Sequence, residues 1–366
     1  MKFLQLFPSY EEYVRDFYAR HPGIAGRTYA EQNALLRKDG FGIVHMFARY
    51  LGPLGFETEM VFTECEPTQR QWLAEHGGQL RQPDNWRHEI AAMQVNTVKP
   101  DILYVTEPVY YDRRFLALLT HRPRLVMGWK AAAIPPGTDW HGYDLMLSNF
   151  KLTFEVGPKI GVKRVEHITP GFPDTLAEEL PDEPKSWDAS FLGSISSEHR
   201  TRTDYLNHLA NSQLVRETGF TLGYFLRTAE PEIVPVGVAQ HNRGPQWGRE
   251  MHRILKGSRI ALNIGIDYAK GETGNMRMLE ATGLGSFLLT EHQDNIRRYF
   301  EPGVECETFS SPGELEEKIR HFLAHEAERE AIAQRGRTRC RRDFSMARSV
   351  ARLAELIRAS LAVAGR

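Results

Sequence analysis

The sequence predicts an α/β protein built from two doubly wound domains, each around a mostly parallel sheet. Three observations carry that expectation. Short apolar runs alternate with stretches of helical periodicity through both halves of the chain, the pattern of strand-helix-strand units. At 366 residues the chain exceeds what one hydrophobic core usually serves. Its middle, TPGFPDTLAEELPDEPKSWD, concentrates prolines and acids as interdomain linkers do. The expected division is a first domain over 1–172, a linker over 173–188, a second domain over 189–345 and a last helix over 346–366.

In the first domain KFLQLF, FETEMVF, DILYVT, RLVMGW and YDLMLS read as strands, with IVHMFARYLGPLG as a helix between them. Residues 8–40 are longer than an ordinary strand-to-helix loop and look partly helical. They read as an insertion at the top of the sheet, where insertions usually serve a ligand. Tyr10, Tyr13, Phe17 and Tyr18 give it an aromatic face that either stacks on a planar group such as a sugar or packs the insertion down. In the second domain the strands are ASFLGS, GFTLGYF, IALNIG, SFLLT and ECETF. The helices are TRTDYLNHLANS, GREMHRILKGS, NMRMLEATG, DNIRRYF and PGELEEKIRHFLAHEAEREAIAQRG.

Composition narrows the function classes. Forty-six basic against 47 acidic side chains give no field to draw the chain onto nucleic acid. Cys65, Cys306 and Cys340 lack paired spacing, so they read as reduced thiols rather than disulfides or zinc ligands. No stretch approaches the roughly 20 apolar residues of a membrane span, and the start lacks the pattern of a secretory signal. The expected location is the cytoplasm. The dinucleotide fingerprint needs G-x-G-x-x-G directly after a strand, which neither half supplies; the nearest glycine pair is Gly40 and Gly42. D-x-D, G-x-S-x-G and H-E-x-x-H are absent, so neither a divalent-metal clamp nor the commonest hydrolase sites are indicated.

The stretch GETGNMRMLEATGLG holds Glu272 and Glu280 eight positions apart, with Arg277 between them. Its context reads strand, loop, helix, tight turn, strand. Glu272 then falls in the loop and Glu280 on the helix. A helix beginning near Asn275 presents N–H groups and a positive dipole end suited to a phosphate or diphosphate. Gly274 lets the backbone approach closely, and Met276 opens the first turn. Glu280, about one and a half turns on, can reach a ribose diol, or it is a solvated helix-face charge like most glutamates.

This E-x7-E pattern, followed by A-x-G-x-G and a short strand, resembles the retaining glycosyltransferases of the GT-B fold. More narrowly, the run from NMRMLEATGLGSFLLT to EAIAQRGRTR is similar to their CgeB-like group, and the likeness covers about residues 190–345. The resemblance implies two Rossmann-like domains facing across a cleft, with the last helix crossing back to the first domain. It implies that Glu272 touches the donor sugar and Glu280 the nucleotide ribose. The commonest motif has an aromatic residue and glycine after the first glutamate; Thr273, Gly274 and Asn275 stand here instead. The loop FLGSISSEHRTR, with Gly193, Ser194 and Arg200, is implied to lie along the donor diphosphate, with Arg200 or Arg277 stabilising it, although a surface role for Arg200 is equally consistent. On the acceptor side the fold implies Gly40, Gly42, Glu107, Trp129 and Lys130, with structural roles as the alternative.

The expected activity is metal-independent, retaining hexosyl transfer from a UDP- or GDP-linked sugar, without a cofactor, to a glycan, lipid-linked or other hydroxyl acceptor, as in polysaccharide or glycoconjugate synthesis. A nucleotide-sugar epimerase of the same architecture and a non-catalytic nucleotide-sugar-binding protein are the rival readings. The arginine-rich amphipathic tail RGRTRCRRDFSMARSVARLAELIRASLAVAGR either packs on the first domain or lies on an anionic membrane surface.

Overall fold

The computed structural model describes all residues except Thr218, Lys270, Gly365 and Arg366, and the side chains of Val363 and Ala364. It forms two α/β units, one comprising Met1–Gly171 with Met346–Arg366 and the other Phe172–Ser345.

Unit 1 holds a six-stranded sheet of β1 (Lys2–Phe7), β2 (Glu57–Phe62), β3 (Ile102–Val105), β4 (Leu125–Trp129), β5 (Leu145–Ser148) and β6 (Val165–His167), in the order β2-β1-β3-β4-β5-β6. All its pairings are parallel. The central strands ILYV, LVMGW and LMLS are buried throughout, as strands covered on both faces must be. Short β6, with a polar VEH sequence, lacks the apolar signal that marks the other five and is held by pairing with β5.

The insertion forms two helices, Glu11–Arg20 and Tyr29–Asp39, the second opened by a capping box between Thr28 and Glu31. Its aromatic face is turned inward. Tyr13 and Phe17 are fully buried, the Tyr13 hydroxyl donates to Asp39, and Tyr18 lies within hydrogen-bond distance of Gln32 and Thr68. Tyr10 alone of the four is exposed. Their main use is therefore packing, the second of the two alternatives.

The helix expected from Ile43 is instead three short 3₁₀ turns, Ile43–His45, Phe47–Arg49 and Gly52–Leu54. Gln5, in the middle of β1, donates to the His45 carbonyl at 2.7 Å and accepts from the Ala48 N–H at 3.0 Å. One buried side-chain amide thus takes two backbone groups that a helix would have used internally.

Unit 2 holds a second, wholly parallel sheet of β7 (Trp187–Ser194), β8 (Leu222–Arg227), β9 (Ser258–Asn263), β10 (Phe287–Glu291) and β11 (Glu307–Phe309), ordered β11-β10-β9-β7-β8. DNIRRYF yields only a 3₁₀ turn, Ile296–Arg298. The long helix expected from Pro312 is two, Pro312–Ala324 and Glu326–Asp343, broken at His325. The proline-rich stretch expected as a linker packs on unit 2. It forms a short helix, Leu176–Glu179, with Leu176 and Leu180 buried, and Lys256 Nζ donates to the carbonyls of Ala177 and Leu180 at 2.9 Å each.

The last helix, Met346–Ala364, belongs to unit 1. Ser349 donates to the Thr169 carbonyl and Arg358 to that of Leu54. Among the described residues no helix is long and apolar enough to cross a membrane.

Close packing in unit 2 makes one glycine indispensable. A Cβ on Gly336 would lie 2.3 Å from the Glu305 carbonyl oxygen, whereas one on Gly313 would meet open space. Gly336→Ala should therefore destabilise by about 1–3 kcal/mol despite alanine's better helix propensity. In the same urea titration Gly313→Ala should stay within about 0.5 kcal/mol of wild type.

Candidate functional site in unit 2

Most of the residues singled out in the sequence lie at the carboxyl ends of β7 and β9, on the loops that leave them or on the helices those loops enter, where parallel α/β sheets bind ligands. Arg202 organises them. It is 8% exposed, donates from Nε and Nη2 to the Ile264 carbonyl, from Nη2 to that of Gly265, and from Nη1 to that of Ser194 at 2.6 Å. Its guanidinium sits over the Phe191 ring. Burial lowers its pKa to about 10, so it stays charged at neutral pH.

Arg200, two residues earlier, is exposed, and the amide N–H groups of Arg200 and Thr201 donate to the Asp267 carboxylate at 2.8 and 3.3 Å. The start of the helix Arg200–Ala210 is thus already occupied by an internal anion. An external diphosphate would have to displace it. The spacing Arg202, Tyr205, Leu206, Leu209 repeats at helical intervals, and all four are buried. That stripe is the sequence signal that separates a buried Arg202 from an exposed Arg200.

At the helix Met276–Gly283 the N-cap side chain is engaged with the sheet. Its N-cap residue Asn275 makes no side-chain capping bond; the Asn275 amide donates to Asn263 at the end of β9, and Asn263 donates to Thr290 on β10. The loop before it is docked by Asn295, which accepts from the Thr273 N–H and donates to the Thr273 carbonyl, and by Asp294, whose N–H donates to Gly271. Gly274, at φ 147°, has backbone space that side chains rarely occupy. Glu272 is half-buried on this loop, and Met276 is 37% exposed.

Glu280 is turned inward, at 2% exposure. Arg277 Nη1 donates to its Oε2 at 2.7 Å, and His252 Nε2 lies 3.4 Å from its Oε1. His252 is fully buried on the helix Gly248–Lys256. Glu280 is therefore not a solvated surface charge but one member of a buried Arg277–Glu280–His252 cluster, as a carboxylate at that depth requires. His252 was not among the residues the sequence suggested; its only signal is its place among Met251, Ile254 and Leu255 on a buried helix face.

In unit 1 the structure brings Glu107 and Lys130 together past the ends of β3 and β4, next to Trp129 at the end of β4. Lys130 Nζ lies 3.4 Å from Glu107 Oε1, and the neighbouring Trp129 ring is 4.8 Å from that of His45. Gly40 ends the helix Tyr29–Asp39 in a left-handed conformation, and Gly42 presses against Phe7. Both flank Phe41, which stacks on Tyr13 at 4.3 Å. Glu107 also borders a cavity of about 720 Å³ whose other walls include Asn85, His88, Tyr110 and Arg114. None of those four carries a signal readable from its sequence neighbours.

Comparison with known proteins fits this geometry. Residues 222–355 match the glycosyl transferase-like family, a span that includes the Glu272–Glu280 motif. Among curated proteins, none matches the sequence. Solved structures are similar along the whole chain. Anabaena Alr3699/HepE, in complex with UDP and glucose, is 12% identical with a TM-score of 0.63, over 98% of this chain and 100% of its own. A glycosyltransferase from Rickettsia africae is 11% identical with a TM-score of 0.59, over 98% of each chain. The sucrose-phosphate synthase of Thermosynechococcus elongatus is 11% identical with a TM-score of 0.56, over 99% of this chain and 100% of its own. The fold is GT-B, two Rossmann-like domains with parallel sheets.

A pH dependence follows from His199, buried at the loop end with Nδ1 2.7 Å from Ser196 Oγ. Burial, with the nearby Arg202 charge, lowers its pKa from 6.5 to about 4. Between those values the unfolded chain binds a proton that the folded chain excludes, so this contribution to stability is lost as pH falls from about 6.5 to 4 and is flat below. In denaturant titrations His199→Asn should show a shallower loss of stability than wild type over that window.

Proposed function

We propose that the protein is a retaining glycosyltransferase that transfers a hexose from a UDP- or GDP-linked donor without a metal ion. The observation that carries this reading is the paired placement of Glu272 and Glu280. One is on a glycine-containing loop and the other on the helix that follows it, at the carboxyl ends of parallel strands, within the region that matches the glycosyl transferase-like family. The similar Anabaena protein was crystallised in complex with UDP and glucose, which supports a nucleotide sugar as donor.

In this reading the donor diphosphate lies at the start of the helix Met276–Gly283, where N–H groups and the helix dipole favour an anion. Arg277 turns from Glu280 to the phosphates, which frees Glu280 Oε2 for the ribose diol. One charge-assisted contact is thereby exchanged for two. Glu272 holds the sugar. The bond from the anomeric carbon to the diphosphate breaks while the acceptor oxygen bonds to the same carbon from the same face. The departing diphosphate accepts the acceptor's proton, so configuration is retained and no separate base is needed. The acceptor is a glycan, lipid-linked or other hydroxyl compound held by unit 1 near Glu107, Trp129 and Lys130. The cytoplasm is the proposed site of action, with polysaccharide or glycoconjugate synthesis as the setting.

Calorimetry separates the two carboxylates. Glu280→Gln should weaken free UDP or GDP by roughly ten- to a hundredfold, the cost of a charged hydrogen bond. Glu272→Gln should leave free nucleotide within about twofold and lose transfer. Unchanged nucleotide binding and turnover in both folded variants would refute the assignment. Transfer should also persist in EDTA; loss on chelation with recovery on adding manganese would overturn metal independence.

A further inference from the structure

The break between the helices Pro312–Ala324 and Glu326–Asp343 gathers three metal-ligating side chains, His321, His325 and Glu328. Their ligand atoms lie within 4.8 Å of one another and all three residues are exposed. His321 Nε2 is 2.8 Å from Glu328 Oε2, and the two imidazoles stack with ring centroids 4.1 Å apart. His325 ends one helix and precedes the next, with backbone angles of φ −112° and ψ 66°. That non-helical turn brings Glu328 back beside His321 although the two are seven residues apart.

The second observation is the hydrogen bond at His325. Its Nδ1 lies 2.8 Å from the His321 carbonyl oxygen, which can only accept, so Nδ1 carries the proton. In the neutral ring Nε2 is then the unprotonated nitrogen, oriented by a backbone carbonyl as metal-bound imidazoles commonly are.

We propose that this cluster binds a borderline divalent transition metal of the zinc type. Two imidazole nitrogens and one carboxylate suit such an ion rather than magnesium or calcium, which prefer all-oxygen sets. Three protein ligands leave a fourth position for water. The ion takes the place of the proton shared between His321 and Glu328 and fixes the angle at the helix break. It lies in unit 2 at a helix break that carries none of the residues assigned to glycosyl transfer, and it has no part in that reaction.

The test is zinc titration of the full chain, read by calorimetry and melting temperature, with magnesium as the contrasting ion. Two variants delete ligand atoms while keeping local hydrogen bonds. His325→Asn retains a donor for the His321 carbonyl, and His321→Gln retains a donor for Glu328. His141→Ala serves as a control, because His141 is likewise an exposed histidine beside a carboxylate, 2.6 Å from Asp139.

The expected result is one zinc equivalent that raises the melting temperature, an affinity lowered at least tenfold in His321→Gln and His325→Asn, and wild-type affinity in His141→Ala. The metal-free melting temperatures of all variants should match wild type, which shows that they fold. Absence of zinc binding to the wild type, or equal affinity in the wild type and both ligand variants, would overturn the proposal. So would a magnesium response equal to that of zinc.

Discussion

The buried guanidinium of Arg202 is the constraint on which the loops at the strand ends of the second unit depend. A charge at that depth is tolerated only if its donors are satisfied, and the acceptors are the carbonyls of Ser194, Ile264 and Gly265 at the exits of β7 and β9. The two loops are therefore fixed relative to one another. With Gly265 fixed, its N–H donates to Glu291 at the end of β10, and Asp267 meets the start of the helix Arg200–Ala210. A single internal cation thus sets the positions of three loops and fills one helix start with an internal carboxylate. At the start of Met276–Gly283 the N-cap Asn275 turns its amide to Asn263 on β9 instead.

Glu280 extends the same logic. Its carboxylate is held between Arg277 and His252, so any ribose that reaches it must do so by exchange with an existing partner.

Much of the fold is legible in the sequence because burial on both faces writes parallel strands as continuous apolar runs. KFLQLF, LVMGW and FLLT needed no tertiary information. Two of the failures share a cause, a contact with a residue far along the chain. Nothing near Ile43 announces that Gln5 will take its backbone groups. Nor does the sequence around Leu176 reveal that Lys256 will hold the proline-rich stretch against unit 2. The candidate site divides in the same way. The spacing of Glu272 and Glu280 is local and could be seen, and the helical stripe around Arg202 was available too. His252 and Asp267 act across 28 and 66 or more positions and became visible only when the chain was folded.

In the proposed reaction the helix Met276–Gly283, and not the helix Arg200–Ala210, receives the donor diphosphate. Residue-resolved hydrogen exchange with and without saturating UDP tests it most directly. The expected result is slowed exchange at the amides of Met276, Arg277 and Met278, with those of Arg200 and Thr201 unchanged because Asp267 already holds them. Protection at Arg200 and Thr201, with none at Met276 to Met278, would contradict it.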